Sequence, residues 1–433
     1  MDQEVELRYR AEKDEPFLPE TLAQWKTLWT MNPRGVSAVY LVWQHLSGVF
    51  LNRGYELYVP RKNHATEKFF PQVYPSGYVD STFVESAAIM GNGYCTFESR
   101  RYVEAFNPRS VFWAATNKSG HEFIIKAVYD GRDAAGLRHL RILAYLARDD
   151  VQLDPRNRTV PVVELVEHEQ YTFAVFPRWT KYVESDIKTP STAIECCVQL
   201  TEGLAFLHEN RIAHLNISPD NVMFNFFGYA IPGYRPIAEH LPVKYGFVDF
   251  GESEFLDGSR DAFAPPRPTS IRRTRAPEVN SGQPFDPFVA DVWQMGMFML
   301  VQFYDLTGFT REFLPILQAM LCLPEDRISM ADAHQRLKSL RDAWRNDRDP
   351  YVLDRHSRQI NKYTGTYLNV YRDCSGTVTL PANDEEACML RDDMRRCCWI
   401  DSAYHAGAFR YGHMLQVDAD REPSIGWVHG TNA

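Results

Sequence analysis

The sequence predicts an α+β protein, because strand-like and helix-like segments occupy different parts of the chain. Residues 111–128 read as a β hairpin, with apolar residues alternating on either side of a turn at 117–120. Two more strands are predicted at 159–167 and 170–176. From residue 193 onward, apolar residues recur mainly at the three- and four-residue spacing of amphipathic helices. We therefore expect a small β-rich part followed by a helical part.

Several of the predicted helices show apolar residues at helical spacing. In the second half of the chain they cover 193–210, 291–304 and 330–344. One helix, 133–148, interrupts the predicted strands, with its leucines on a single face. Two further helices, 18–29 and 36–49, are predicted near the N-terminus, in a region rich in aromatic residues. The chain is thus expected to fold along most of its length.

Composition and charge limit the classes of function. The chain has 433 residues, of which 45% are apolar and 24% charged, as in ordinary globular proteins. A formal net charge of -9 argues against binding to nucleic acids or to anionic membranes, since both favour basic surfaces. The first residues lack the basic and then apolar pattern of a signal peptide. We expect an intracellular, cytoplasmic protein with neither nucleic-acid nor membrane partners.

The stretch from Arg211 to Phe224 reads as a helix end, a polar loop and a short strand. Its His214 and Asn221 lie seven residues apart. This stretch resembles the catalytic loop of protein kinases, His-Arg-Asp-x-x-x-x-Asn, in which the Asp acts as base toward the substrate hydroxyl and the Asn binds magnesium. A pair of residues at this spacing carries little information alone, so the resemblance depends on further motifs in order.

Four further matches to kinase motifs follow in the family's order. They are Asp249-Phe250-Gly251, Ala276-Pro277-Glu278, the start of a long apolar helix at Asp291, and Arg327. The resemblance covers about residues 102–345 and implies a bilobal kinase-like domain, with a small β-rich N-lobe and a helical C-lobe. It leaves an N-terminal extension, 1–101, and a C-terminal extension, 346–433. Residues 226–243 form an insertion within the domain.

The resemblance implies a nucleotide site with ATP and Mg²⁺ as cofactors. Asp249 and Asn221 correspond to the two magnesium ligands of the family. Lys126 corresponds to the lysine that binds the α- and β-phosphates. Val111, together with Phe176 or Val175, corresponds to residues that line the adenine pocket. The segment Pro177-Arg178-Trp179 would then cross between the lobes.

The remaining matched positions have structural roles in the family. The resemblance implies that Glu278 and Arg327 form a buried ion pair that holds the activation segment to the helical part. His214 and Asp291 are likewise expected to have structural and not catalytic roles.

The sequence departs from the family at several catalytic positions. Asn216 stands where the catalytic Asp is expected, and Leu215 replaces the preceding Arg. Ser218 replaces a lysine of the same loop. Aligning the leucine stripe of helix 133–148 puts His139 where the family has the glutamate that pairs with the lysine. Residues 104–110 contain no glycine, so a backbone cradle over the phosphates is not expected there.

Three functions remain open at this point. The first is a pseudokinase that binds nucleotide with weak or no phosphotransfer and acts through protein partners. The second is an active Ser/Thr kinase in which Asp220 substitutes as the base. The third is a small-molecule phosphotransferase on the same fold, which would explain a short substrate-docking region between Asp291 and Arg327 but also requires a base.

Overall fold

A computed structural model describes much of the region from residue 16 to residue 347. The described residues are 16–31, 36–60, 69–70, 78–79, 111–119, 121–181, 187, 190–227, 243–256, 263–266, 275–307 and 313–347. The loop 104–110 lies outside these ranges, as do most of the insertion 226–243 and all but the first two residues of the extension 346–433. Predictions for those segments stay predictions.

A five-stranded antiparallel sheet forms the first half of the described structure. In chain order, the strands up to residue 177 are β1 (Glu56–Leu57), β2 (Val59–Pro60), β3 (Phe69–Phe70), β4 (Tyr78–Val79), β5 (Phe112–Thr116), β6 (Glu122–Tyr129), β7 (Glu164–His168) and β8 (Tyr171–Pro177). The sheet has the order β1-β5-β6-β8-β7, while β2 pairs with β3. The predicted hairpin is confirmed as β5 and β6.

Two N-terminal helices cover one face of this sheet. They are α1 (Leu22–Met31) and α2 (Val36–Leu51). Trp25 and Trp43 on these helices pack with Trp113 of β5 and Phe173 of β8 in one aromatic cluster. The predicted boundary between 1–101 and 102–345 falls among residues that are not described. Residues on its two sides nevertheless share a hydrophobic core, and β1 supplies an edge strand to the sheet.

A third helix packs near the opposite face. It is α3 (Ala134–Leu146), and the side chain of Asp133 caps its start by accepting from the N–H groups of Ala135 and Gly136. The short α4 (Asp149–Gln152) follows. Ile142 and Leu143 of α3 are fully buried in the main core, which extends into the helical part of the chain. Of the four leucines predicted as the buried stripe, Leu143 and Leu146 are buried, whereas Leu137 and Leu140 are only partly buried.

The second half is built around long helices. They are α5 (Pro190–Glu209), α6 (Pro287–Thr307), α7 (Leu314–Leu321) and α8 (Met330–Asp347). Short strands lie beside them, namely β9 (Thr180–Lys181), β10 (Ile212–Ala213), β11 (Val222–Phe224), β12 (Phe226–Phe227), β13 (Tyr245–Phe247) and β14 (Glu254–Phe255). No helix in the described ranges is long and apolar enough to cross a bilayer. The fold is α+β, as predicted.

Candidate functional site

The loop after β10 is held in place by a single buried carboxylate. Asp291, near the start of α6, is fully buried and accepts the backbone N–H groups of His214, at 2.6 Å, and Leu215, at 2.7 Å. His208 of α5 contacts the same carboxylate at 3.1 Å. Hydrogen bonds to a charged acceptor are stronger than neutral ones and cost more to remove. Asp291 thus fixes the path of the loop at its first two residues.

Gln294, one turn further along α6, extends this anchor. Its Oε1 accepts the N–H of Ile217 at 3.0 Å, and its Nε2 donates to the carbonyl of Leu215 at 3.4 Å. The sequence analysis did not single out Gln294. A polar residue three positions after Asp291, on the same face of an otherwise apolar helix, was the signal that could have identified it.

His214 links the loop to the strand that precedes Asp249. Its ring lies fully buried against Phe247 and Phe250. Its Nε2 lies 3.1 Å from the carbonyl of Val248, and its Nδ1 accepts the N–H of Asn216 at 3.2 Å. Burial lowers the pKa of His214, although Asp291 opposes the shift. A neutral ring that donates from Nε2 and accepts at Nδ1 satisfies both contacts.

The two substituted positions of the loop differ in burial. Leu215, where the family has Arg, is 3% exposed and belongs to the main core, with a left-handed backbone at φ 58. Asn216, at the position of the catalytic Asp, is only partly buried. Its side-chain amide has no basic oxygen that could take a proton from a hydroxyl. The loop is therefore held by buried anchors, while the side chain of Asn216 cannot itself act as a base.

Asn221 and Asp220 lie in a single 3₁₀ turn, Pro219–Asn221. The Nδ2 of Asn221 donates to the carbonyl of Asn216 at 2.8 Å, and its backbone carbonyl accepts the N–H of Val248 at 3.0 Å. Asn221 therefore connects the loop with the strand end that leads to Asp249. Asp220 is half-buried in the same turn. Its carboxylate is the nearest acidic side chain in sequence to Asn216.

Lys126 of β6 forms an ion pair with Asp249, with 2.6 Å between Nζ and Oδ1. The same oxygen accepts the N–H of Gly251 at 3.3 Å. Asp249 has a left-handed backbone with φ 67, a conformation that costs energy outside glycine and often marks functional sites. Burial opposes its ionisation, but the charge of Lys126 and the hydrogen bonds from Lys126 and Gly251 together lower the pKa of Asp249 below its ordinary range. The carboxylate is therefore ionised and held toward β6.

His139 of α3 lies beside this ion pair. It is 6% exposed, and burial together with the charge of Lys126 lowers its pKa to about 3. The ring is neutral near pH 7 and cannot pair electrostatically with the lysine. The location of His139 close to Lys126 agrees with its assignment to the position of the family's glutamate. Lys126 has instead taken Asp249 as its acidic partner.

The strand register defines a face of the sheet around Lys126. Lys126 pairs with Phe112 of β5 and with Ala174 of β8, and Ile124 pairs with Phe176. Residues directly opposite each other point to the same face of a sheet, as do residues two apart in one strand. These side chains therefore form one face, on which Phe112, Ile124 and Phe176 are partly exposed. The predicted place of Phe176 beside the nucleotide site fits this face.

Val111 does not fit the same face. It lies opposite Ala127, whose N–H donates to its carbonyl at 2.8 Å. Val111, Phe112 and Ile124 all pack against the aromatic cluster under α1 and α2, so the strand register, and not this packing, separates them. Val175 is buried in that cluster as well. The prediction that Val111 lines the adenine pocket is therefore not supported, because a change of one residue in register exchanges the two faces of a strand. Phe112 occupies the place expected for Val111.

Arg327 and Glu278 form the predicted ion pair. Arg327 Nη1 donates to Glu278 Oε1 at 2.5 Å, and the arginine side chain is 1% exposed. Arg327 also donates to the carbonyls of Val289, at 2.8 Å, and Cys322, at 3.0 Å. Arg327 directly follows a short 3₁₀ turn, Pro324–Asp326, and each of these bonds joins it to a different segment of the chain. The pair thus ties the segment at Glu278 to α6 and α7.

A buried polar cluster that sequence reasoning missed lies where β8 ends. Glu122, the first residue of β6, accepts a short hydrogen bond from the hydroxyl of Tyr58. Arg178 donates to the same hydroxyl at 2.8 Å and lies 3.5 Å from Glu122 Oε2. Burial is the main cause that raises the pKa of Glu122 to about 7, against the opposing effect of Arg178. No local motif marked these residues, since they are far apart in sequence.

Comparisons with known proteins agree with the geometry. The serine/threonine-protein kinase ppk8 of Schizosaccharomyces pombe is 29% identical over 167 residues, which cover 37% of this chain and 26% of that kinase. The dual specificity protein kinase CLK4 of Mus musculus is 24% identical over 221 residues, covering 46% and 42% of the two chains. The chain is a protein-kinase-like protein. No protein-family model matches it.

The similarity of this protein-kinase-like chain to its relatives is partial. The probable dual specificity protein kinase madd-3 of Caenorhabditis elegans is 23% identical over 215 residues, covering 46% of this chain and 23% of that protein. The chain thus spans less than half the length of these curated relatives.

Proposed function

We propose that this protein-kinase-like chain is a pseudokinase, which binds ATP with Mg²⁺ weakly, transfers phosphate slowly or not at all, and acts through protein partners in the cytoplasm. The observation that carries the proposal is Asn216. It occupies the position of the catalytic base in a loop that Asp291 and His214 anchor in kinase-like fashion. The loop is therefore folded for the role, while the group that would take the proton is missing.

The loss of the base predicts a large loss of rate. A positioned general base contributes roughly 10²- to 10⁴-fold to proton transfer in enzymes. Ser218 adds a second loss, because the lysine of the family would bring positive charge toward the transferring phosphate. Neutral His139 adds a third, since it leaves Lys126 without the acidic partner that orients it in active kinases.

The residues that would hold nucleotide and metal are nevertheless present. Mg²⁺ is usually bound by one or two protein oxygens together with substrate phosphates. Lys126 and Gly251 both use Oδ1 of Asp249, and no other described residue bonds to its Oδ2. Asn221 uses its Nδ2 for the carbonyl of Asn216, so its Oδ1 can accept. Asp249 and Asn221 therefore fit Mg²⁺, which would supply charge neutralisation for the phosphates.

The arrangement of cores supports a bilobal domain. The sheet with α1 and α2 forms one hydrophobic cluster, and the helices from α5 onward belong to the main core. The chain passes from the sheet to the helical part through Pro177–Lys181. We place the two lobes on either side of this segment, with the nucleotide between Lys126 of the sheet and Asn221 of the catalytic-type loop. Helices α1 and α2, which belong to the predicted extension 1–101, would then act as an integral support of the domain 102–345.

An active kinase is the second candidate, because Asp220 provides a carboxylate in the same turn as Asn221. Two measurements on the purified chain separate the candidates. A thermal shift with ATP, with and without Mg²⁺, tests nucleotide binding, and a parallel assay tests phosphotransfer. The pseudokinase proposal expects a small Mg²⁺-dependent shift without transfer. Transfer that Asp220→Asn abolishes would support the active kinase instead.

A further inference from the structure

The segment that leaves β8 has its backbone donors already engaged. The N–H of Arg178 donates to the carbonyl of Glu122 at 2.9 Å, which continues the pairing of β8 with β6. The N–H of Trp179 donates to the carbonyl of Pro177 at 3.0 Å, which closes a three-residue turn centred on Arg178. Pro177 itself has no N–H. The three residues that follow Phe176 thus present no unengaged backbone donor.

The side chain of Arg178 also holds this turn in place. Arg178 is buried against Tyr58 and Glu122, with its guanidinium 5.4 Å from the centre of the Tyr58 ring. Trp179 is also buried, and its ring lies so close to Gly246 that a Cβ there would meet the indole at 2.9 Å. Opening the turn would disturb both contacts. We therefore expect the turn to persist when a ligand binds.

A nucleotide bound at this site would place its purine ring against Phe176. Adenine and guanine differ at the edge where adenine offers an acceptor at N1 and a donor at N6, while guanine offers a donor at N1 and an acceptor at O6. Strong selection requires a site that hydrogen-bonds one pattern and leaves the other unpaired. The carbonyls of this segment can still accept, since a carbonyl has two lone pairs, and both purines can donate to them. A fixed donor for adenine N1 is missing at residues 177–179.

We propose that the site binds nucleoside triphosphates with little selection between adenine and guanine. This inference rests on the proposed nucleotide site. Affinity would come from the phosphates, through Lys126 and Mg²⁺ on Asp249, and from apolar contact of the base with Phe112, Ile124 and Phe176. Contact with apolar side chains does not distinguish the two purines, because it uses the faces of the rings and not their edges.

Competition binding tests the proposal on the full chain. A fluorescent mant-ATP probe is displaced by ATP, GTP or inorganic tripolyphosphate in the presence of Mg²⁺. We expect the dissociation constants of ATP and GTP to agree within about threefold, since residues 177–179 offer no unengaged backbone donor for adenine N1. Tripolyphosphate should also compete. Lys126→Met should weaken both nucleotides by the same factor, and Arg148→Ala, on the exposed surface, should change neither.

Amide hydrogen exchange gives an independent readout of the turn. The amides of Arg178 and Trp179 should be protected without nucleotide, and ATP should add no protection at Trp179. A preference for ATP over GTP of about tenfold or more, or new protection at Trp179, would overturn the inference while leaving nucleotide binding intact. Failure of the probe and of every competitor to bind would instead refute the nucleotide site itself, and the inference with it.

Discussion

Lys126 is paired with Asp249, at 2.6 Å, and not with an acid on α3. The position on α3 holds His139, which is buried and neutral. One carboxylate therefore serves both as the partner of the lysine and as the candidate magnesium ligand. A bound metal ion and Lys126 would share the charge of Asp249. We expect this shared use to make the proposed nucleotide site weak.

The first prediction concerns the separate roles of this pair in nucleotide binding. Asp249→Ala should abolish the Mg²⁺-dependent part of an ATP-induced thermal shift, because it removes the anionic metal ligand. Lys126→Met should reduce the shift less in Mg²⁺, since it leaves both oxygens of Asp249 for the metal. The measurement is a thermal shift with ATP for wild type and both variants, in Mg²⁺ and in EDTA.

This experiment shows which of the two substitutions removes more of the Mg²⁺-dependent thermal shift. Arg148→Ala, in an exposed ion pair, serves as the control for a lost positive charge. If Asp249→Ala kept the full shift while Lys126→Met lost it, the metal role of Asp249 would be wrong.

The second prediction is a pH dependence that comes from His139. Its pKa is about 3 in the folded protein, because of burial and of nearby Lys126, against an ordinary value of 6.5. Between these values the unfolded chain binds a proton that the folded chain does not. The free energy of unfolding therefore falls as pH decreases through this window, by up to about 1.4 kcal/mol per pH unit. His139→Gln should remove this part of the slope, as measured by urea unfolding at pH 7 and pH 5.

The comparison with His139→Gln is needed because another buried group acts in the opposite sense. Burial raises the pKa of Glu122 to about 7 from 4.5, so the folded state binds the extra proton and loses stability as pH rises through that range. Glu122→Gln should therefore steepen the loss on acidification, whereas His139→Gln should flatten it. Equal slopes for wild type and His139→Gln would mean that the ring is not buried in neutral form.

The third prediction concerns the ion pair of Arg327. Removing one partner of a buried pair costs roughly 3 to 5 kcal/mol, because the other charge is left unpaired. Arg327→Ala leaves Glu278 without its cation and also removes donors to Val289 and Cys322. We expect the melting temperature to fall by about 6 °C or more in a domain of this size. Differential scanning calorimetry measures the change.

An exposed ion pair provides a matched control, because its removal deletes an arginine charge without leaving a buried partner unpaired. Arg148 pairs with Asp150 at 2.7 Å, and both side chains are more than half exposed. Exposed pairs contribute roughly 0 to 1 kcal/mol, so Arg148→Ala should barely change the melting temperature. Equal effects of the two substitutions would show that the pair Arg327–Glu278 does not hold the structure together.

Motif order and local periodicity were enough to predict much of this structure. The hairpin around Lys126, helix α3 with His139, and the pair Glu278–Arg327 were all predicted, because each depends on a local pattern or on a spacing shared with a family. The helix bounds differ by a few residues, as at α6, which begins at Pro287 and not at Asp291. Helix ends depend on capping and packing, which periodicity does not register.

The features that were not predicted depend on distant contacts. Strand β1 has only two residues, and it pairs with β5 across a long stretch of chain. A strand this short shows no alternation of apolar and polar residues from which it could be predicted. The cluster of Tyr58, Glu122 and Arg178 forms only once that pairing exists. Val111 was assigned to the nucleotide face by its correspondence with the kinase family. The register with Lys126 instead places Phe112 on that face.

The claim that the chain lacks an efficient catalytic base is tested most directly by Mg²⁺-dependent transfer from radiolabelled ATP to generic protein substrates. Wild type, Asn216→Asp and Asp249→Ala should be assayed together. The account predicts no measurable transfer by wild type and no normal turnover by Asn216→Asp, because His139 and Ser218 still leave the phosphates poorly oriented, and orientation can be worth roughly 7 to 11 kcal/mol. Robust transfer by wild type that Asp249→Ala abolishes would contradict the account.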